Sequence, residues 1–181
     1  MAAAVPAAKS MELKLERWTI RDWCLDDAES LAKHANNRRV WLTLRDRFPH
    51  PYTIDDAKTF LERATSENEP EKLYCIAVDG AAVGGIGLIP GEDVYRRTAE
   101  FGYWLAEEYW GKGIMSEGVA AFVDYCFEKF WLTRMFASVY ANNPASARVL
   151  EKIGLVFEGR LRKNVIKDGQ ILDSLLYAKT M

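Results

Sequence analysis

Cysteine is scarce, with three in 181 residues: Cys24, Cys75 and Cys126. An odd, widely spaced set within mostly apolar stretches excludes a disulfide framework and a zinc-ligand pattern. It reads as reduced core thiols in a cytoplasmic protein. Histidine is scarcer: His34 and His50 lie too far from other ligand types to suggest a metal. No apolar run approaches the ~18 residues a membrane span needs. Charge of one sign is also lacking, since 24 Lys and Arg face 26 Asp and Glu for a formal net charge of −2. That balance leaves no electrostatic footprint for nucleic acid or an anionic membrane surface. The opening MAAAVPAAKS has no basic stretch leading into a long apolar one, so it is not a secretory signal; residues 1–10 read as a mobile Ala-rich tail. With no internal repeat and no linker, residues 11–181 are expected to form one domain.

What is present changes its period repeatedly. Met11–Trp23 alternates apolar and polar residues and predicts one opening strand. Asp26 and Asp27 stand where a helix cap belongs, before Ala28, Leu31, Ala32 and Ala35 at helical spacing. Pro49 and Pro51 make Phe48–Tyr52 irregular, and Thr53 then precedes a second helix carrying Ala57, Phe60, Leu61 and Ala64. Leu73–Val78 and Ala81–Ile89 around Asp79-Gly80 predict a β-hairpin. Strands follow at Thr98–Leu105, Arg134–Tyr140, Leu155–Val165 and Gln170–Ala178, with helices at Gly113–Phe130 and Pro144–Ile153. Consecutive hairpins and one β-α-β crossover imply an α+β domain: a mixed, mostly antiparallel seven-stranded sheet with helices on both faces.

The stretch with chemical content is Thr98–Gly118, TAEFGYWLAEEYWGKGIMSEG. A strand runs into a short loop with Gly111 and Gly113, and the loop opens directly into the long helix. Unpaired N–H groups and the helix dipole favour a phosphate or pyrophosphate there, Lys112 adds a positive charge, and glycines permit close approach. A turn merely capped by two glycines fits the spacing equally well. A Rossmann fingerprint does not, because Ser116 stands where its third glycine belongs. Strand alternation puts Glu100, Gly102 and Trp104 on one face and Ala99, Phe101, Tyr103 and Leu105 on the other. Glu100, flanked by apolar residues, is either a base or half of an ion pair with Arg96 or Arg97. Asn143, followed by Pro144, is a good helix cap.

Two motifs carry a resemblance. Trp110-Gly111-Lys112-Gly113-Ile114-Met115 is similar to the pyrophosphate loop of the GNAT superfamily of N-acetyltransferases, with the Trp-Gly-x-Gly form of its ribosomal-protein N-terminal acetyltransferase subgroup. Asn143 to Leu155, NPASARVLEKIGL, resembles the family's segment following the next strand. The resemblance runs from about Leu13 to the end, with Met115 and Leu155 departing from the usual residues. It implies acetyl-CoA as co-substrate, no metal, and direct attack of an amine on the thioester in a ternary complex. The backbone of Tyr103, Trp104 and Leu105 would then pair with the pantetheine arm, Gly111–Ser116 (Gly111, Lys112, Gly113, Ile114, Met115, Ser116) would hold the pyrophosphate, and Asn143 would lie near the arm. Glu100 would be the base. Many relatives use a tyrosine acid in the last helix where this chain has Leu150, so Ser146 is the substitute the subgroup suggests. The segment between the first two helices lines the acceptor cleft in the family, making Arg45, Phe48 and Tyr52 candidate substrate contacts. The acceptor implied is a protein or peptide N-terminal α-amino group, with a small amine (polyamine, amino acid, antibiotic) or a non-catalytic CoA sensor as alternatives. Monomer and homodimer stay equally open.

Overall fold

Side-chain alternation along one strand shows why helices cover both faces of the sheet. In the computed structural model, which describes residues 11–181, strand β3 (Lys72–Val78) sends Tyr74 and Ile76 into one core and Cys75 and Ala77 into another. The expected tail at 1–10 lies outside the described residues. The first core receives helices α4 (Ile114–Phe130) and α5 (Pro144–Lys152) through Val119, Phe122, Ala147 and Leu150. The second receives α1 (Ala28–Ala35) and α3 (Ile54–Ala64) through Leu31, Ala57 and Leu61. A single helical turn, α2 (Arg38–Trp41), lies between those two, capped by the Asn37 side chain.

The remaining strands are β1 (Glu12–Lys14), β2 (Trp18–Asp22), β4 (Ala81–Pro90), β5 (Thr98–Leu105), β6 (Arg134–Tyr140), β7 (Val156–Lys167) and β8 (Gln170–Thr180). They stand in the order β1-β2-β3-β4-β5-β6-β8-β7, antiparallel throughout except for β5 and β6, which α4 connects as a crossover. The sheet therefore has eight strands where the alternation predicts seven. Residues 11–23 fold back on themselves: the Leu15 N–H donates to the Trp18 carbonyl at 2.9 Å, and Leu13 stands opposite Ile20. No Gly, Pro or Asn marks that turn, so the pattern reads straight through it.

Local signals are met at α3, where Thr53 and Asp56 form a reciprocal capping box. At α1 the expected cap does something else. Asp27 stands at the helix start, but its carboxylate accepts two hydrogen bonds from Arg21 at 2.7 and 2.8 Å and one from the Cys24 amide at 3.0 Å. These bonds tie β2 to the start of α1, and Arg21 holds Asp27 below the ordinary carboxylate range despite its burial. Cys24 itself is exposed, contrary to the reading of all three thiols as core residues; Cys75 and Cys126 are buried.

Helix α4 lies unusually close to β2. A Cβ placed on Gly118 would stand 2.2 Å from the Trp18 ring, and Trp18 is itself buried. Gly118→Ala is thus expected to overpack this contact and cost about 1–3 kcal/mol, read as a lower urea midpoint. An unchanged midpoint would mean the Trp18 ring yields freely and does not fix the helix.

Candidate active site

The single parallel ladder of the sheet is short. β5 and β6 pair at Thr98–Arg134, Ala99–Met135 and Glu100–Phe136 and then part. β5 continues to Leu105, still paired on its other side with β4, while β6 continues to Tyr140, still paired with β8. Between the diverging strands the inner backbone edges face a gap. Backbone N–H and C=O groups require partners, so such an edge suits an extended ligand bearing amides.

The strand end at the wide side of the gap leads into the glycine loop. Gly111 and Gly113 both have positive φ, 74° and 83°, and a Cβ on Gly111 would meet nothing within 4 Å. Gly113 begins α4, a 17-residue helix whose start carries no side-chain cap. Its first N–H groups, at Ile114, Met115 and Ser116, thus present the positive end of a long helix beside two residues without side chains. Ile114 is buried and Met115 packs on the first core, which anchors the loop from below. Trp110 explains its own place in the motif. Its indole N–H donates to the Leu105 carbonyl at 2.7 Å, and the Arg39 guanidinium lies 5.2 Å above its ring. The loop is thereby fastened to the end of β5. Lys112 lies over the Tyr109 ring at 5.1 Å.

Glu100 is the last paired residue of β5 before the gap. Its side chain points to the α1/α3 face, where it forms an ion pair with Arg45. Arg96 and Arg97, the partners suggested by proximity in sequence, instead donate to the carbonyls of Asp93 and Trp131. Arg45 also lines a cavity of about 310 Å³ with Asp46, Ser138, Tyr140, Asn164 and Lys167. Phe48 packs against Trp104 with ring centroids 5.5 Å apart and against Tyr52 at 4.8 Å. Tyr52 is buried in the second core. Of the three candidate acceptor residues, therefore, Arg45 reaches the cavity and Glu100, Phe48 supports Trp104, and Tyr52 is a packing residue behind them.

On the opposite wall of the gap stands α5. Asn143 acts as its cap, accepting from the Ser146 amide at 3.3 Å. Leu150 is fully buried in the first core. The hydroxyls that meet there are Ser146 and Tyr103, 2.8 Å apart, and the Tyr103 hydroxyl also lies 3.3 Å from the Ser146 carbonyl. This pair links β5 to α5 across the gap. Burial pushes the Tyr103 phenol up to about 12, the bond to Ser146 opposing it weakly. The alternation of β5 places Tyr103 on the face toward α4 and α5, but its partner, 43 residues away, is not legible in the sequence.

A mixed sheet that parts at its one parallel pair, with a glycine-lined helix start beside the opening, defines a protein that takes an elongated, amide-bearing ligand with an anionic group toward one end. Residues 17–156 match the family of the acetyltransferase (GNAT) domain, and the chain belongs to that family. It is an acetyl-CoA-dependent N-acetyltransferase. A putative ribosomal N-acetyltransferase of Bacillus subtilis is 35% identical over 100 residues, 55% of this chain and 54% of that protein. The spermidine N(1)-acetyltransferase of Escherichia coli is 26% identical over 172 residues, 94% of this chain and 86% of that protein. RimJ of Mycobacterium smegmatis, solved in complex with a CoA disulfide, superimposes with a TM-score of 0.81 at 25% identity, covering 94% of this chain and 86% of that one.

The glycine loop can be tested with a strain-matched control. Gly113→Ala is expected to weaken CoA binding at least tenfold, about 1.4 kcal/mol. Gly80→Ala, in the β3–β4 turn at φ 82° with open space around it, imposes similar backbone strain and should leave CoA affinity unchanged. Calorimetric titration of both variants decides; equal affinities would remove the loop from the cofactor site.

Proposed function

We propose that the acceptor is the α-amino group of a peptide or protein, that Glu100 takes its proton, and that Ser146, positioned by Tyr103, donates a hydrogen bond to the departing sulfur. The observation that carries this reading is the place of Glu100: a carboxylate at the point where β5 and β6 part, held by Arg45, which lines the neighbouring cavity, with the Tyr103–Ser146 hydroxyl pair spanning the gap. Acetyl-CoA supplies an acyl carbon activated by a thiol leaving group. An ammonium has no lone pair, so a base is needed before the amine can attack. The amine attacks directly in a ternary complex. Cys75 and Cys126 are buried with their thiols pushed up by desolvation, which suits neither to serve as an intermediate nucleophile.

In this reading the backbone of Tyr103, Trp104 and Leu105 pairs with the pantetheine amides. The amides of residues 111–116 receive the pyrophosphate, with Lys112 close by. Asn143 fixes the start of α5 so that Ser146 faces the sulfur. Tyr103 passes no proton on, because its phenol at about 12 lies well above the ~8.5 of an ordinary thiol. Its part is to donate to Ser146 Oγ, which leaves the serine proton directed at the sulfur. The likeness to a spermidine acetyltransferase over most of the chain favours a second reading, a small polyamine acceptor.

Release of CoA thiol by N-terminal peptides and by spermidine separates the two readings: turnover with peptides supports the first, and turnover confined to spermidine overturns it. Glu100→Gln should lower kcat by roughly 10²-fold or more. Ser146→Ala and Tyr103→Phe should each cost roughly fivefold, one hydrogen bond of about 1 kcal/mol, and the double variant little more than either alone. Unchanged CoA affinity in all four variants is expected. A Ser146→Ala loss as large as that of Glu100→Gln would make the serine the principal catalytic group, and additive losses would separate Tyr103 from it.

A further inference from the structure

The acceptor cavity carries two cations that are held very differently. The Lys167 side chain is only 2% exposed. Its ammonium donates to Asp46 at 2.7 Å and lies 3.7 Å from the centre of the Trp41 ring. Removing Asp46 would leave this buried ammonium with the Trp41 ring alone, so Lys167 is a fixed part of the wall, whereas Asp46 itself is 73% exposed. The neighbouring Asp168 pairs with Arg38 at 2.6 Å, which pins the β7–β8 turn to α2 from a second point. Arg45 is the opposite case. Its side chain is 55% exposed, and its ion-pair partner among the described residues is Glu100, which is 22% exposed. The exposed cation of the cavity is therefore paired with the carboxylate that must receive the acceptor's proton.

That arrangement sets a condition on the acceptor. An entering ammonium competes with Arg45 for Glu100, and an acceptor with no other charge displaces the guanidinium and leaves it facing the occupied cavity unpaired. An acceptor that brings its own carboxylate offers Arg45 a new partner as it takes the old one. Every charge is then paired again: ammonium with Glu100, carboxylate with Arg45, Lys167 with Asp46. Consecutive Cα atoms are 3.8 Å apart, so a carboxylate on the first or second residue of a peptide falls within the reach of an arginine turning away from Glu100. We propose that Arg45 is a specificity-determining residue that exchanges Glu100 for an acidic group of the acceptor, and that preferred acceptors are amines carrying a carboxylate within one or two residues of the reacting nitrogen. This rests on the assignment of Glu100 as base and deepens it by naming the acceptor class. Because Arg45 is half exposed, water offsets part of the cost of leaving it unpaired, and the preference is expected to be tenfold or a little more rather than absolute.

The test compares isosteric acceptors. The peptides Ser-Glu-Ala-Ala and Ser-Gln-Ala-Ala differ in one charge, and thiol release gives kcat/KM for each with the wild type and with Arg45→Gln. The wild type should favour the glutamate peptide at least tenfold, and Arg45→Gln should bring the ratio within twofold. Equal rates in the wild type, or a preference that survives in Arg45→Gln, overturns the exchange. A second arm needs no turnover: both peptides, with their amino groups free, are titrated into the enzyme–CoA complex, which has no acetyl group to transfer, where the same preference and the same loss are expected, and equal affinities count against it. If neither peptide is acetylated, it is the peptide reading that falls, and the ratio is taken between glutamic acid and glutamine amide. A tenfold preference for glutamic acid that disappears in Arg45→Gln supports the role of Arg45; no preference overturns it.

Discussion

Everything at this site depends on a ladder that stops. β5 and β6 are held together by three residue pairs and are then pulled apart, each by full pairing with its outer neighbour. α4 connects the two strands on one face, and α5 follows β6 on the same side. Backbone groups left without partners are costly when buried, so the gap persists as a place where a ligand's amides can complete the sheet. The position of every proposed group follows from it. Glu100 is at its throat, the Tyr103–Ser146 pair joins its walls, and the glycine loop begins where β5 ends.

The two faces of the sheet divide the labour. Residues that alternate along β5 send Phe101 and Tyr103 to the side of α4 and α5, and Glu100 and Trp104 to the side of α1 and α3. The helix start proposed for the pyrophosphate is on the first side, and the cavity proposed for the acceptor is on the second. The thioester would thus be reached through the gap from opposite faces, which keeps the two binding surfaces from competing. Rigidity comes from close contacts at the edges of the arrangement: Gly118 against Trp18 sets the depth of α4, and the Trp110 indole on the Leu105 carbonyl sets the loop.

Much of this was legible in the sequence because it is local. Thr98–Leu105 and Arg134–Tyr140 are strands with the bounds that alternation predicts, and the helix begins within one residue of its expected start. The glycine pair stands out in the sequence because positive φ, 74° at Gly111 and 83° at Gly113, is a property of single residues. What escaped reading is non-local or weakly marked. The turn at Leu15–Trp18 has no turn residue, and α2 is one helical turn between longer elements. The partner of Glu100 lies 55 residues away on a segment with no periodicity, and that of Tyr103 lies 43 residues away on a helix whose rotation about its axis no pattern fixes. Tyr52 misleads for a related reason, since an aromatic residue beside two prolines looks exposed until the fold packs it beneath Phe48.

The central claim is that acetyl-CoA completes the sheet at the point where β5 leaves β6. Amide hydrogen exchange of the full chain, with and without CoA, reads this at the backbone itself. The account predicts slowed exchange in two stretches together, residues 101–105 on the open edge of β5 and residues 111–116 at the start of α4. Protection confined to the loop, with the β5 edge exchanging as fast in the complex as in the free protein, would contradict it.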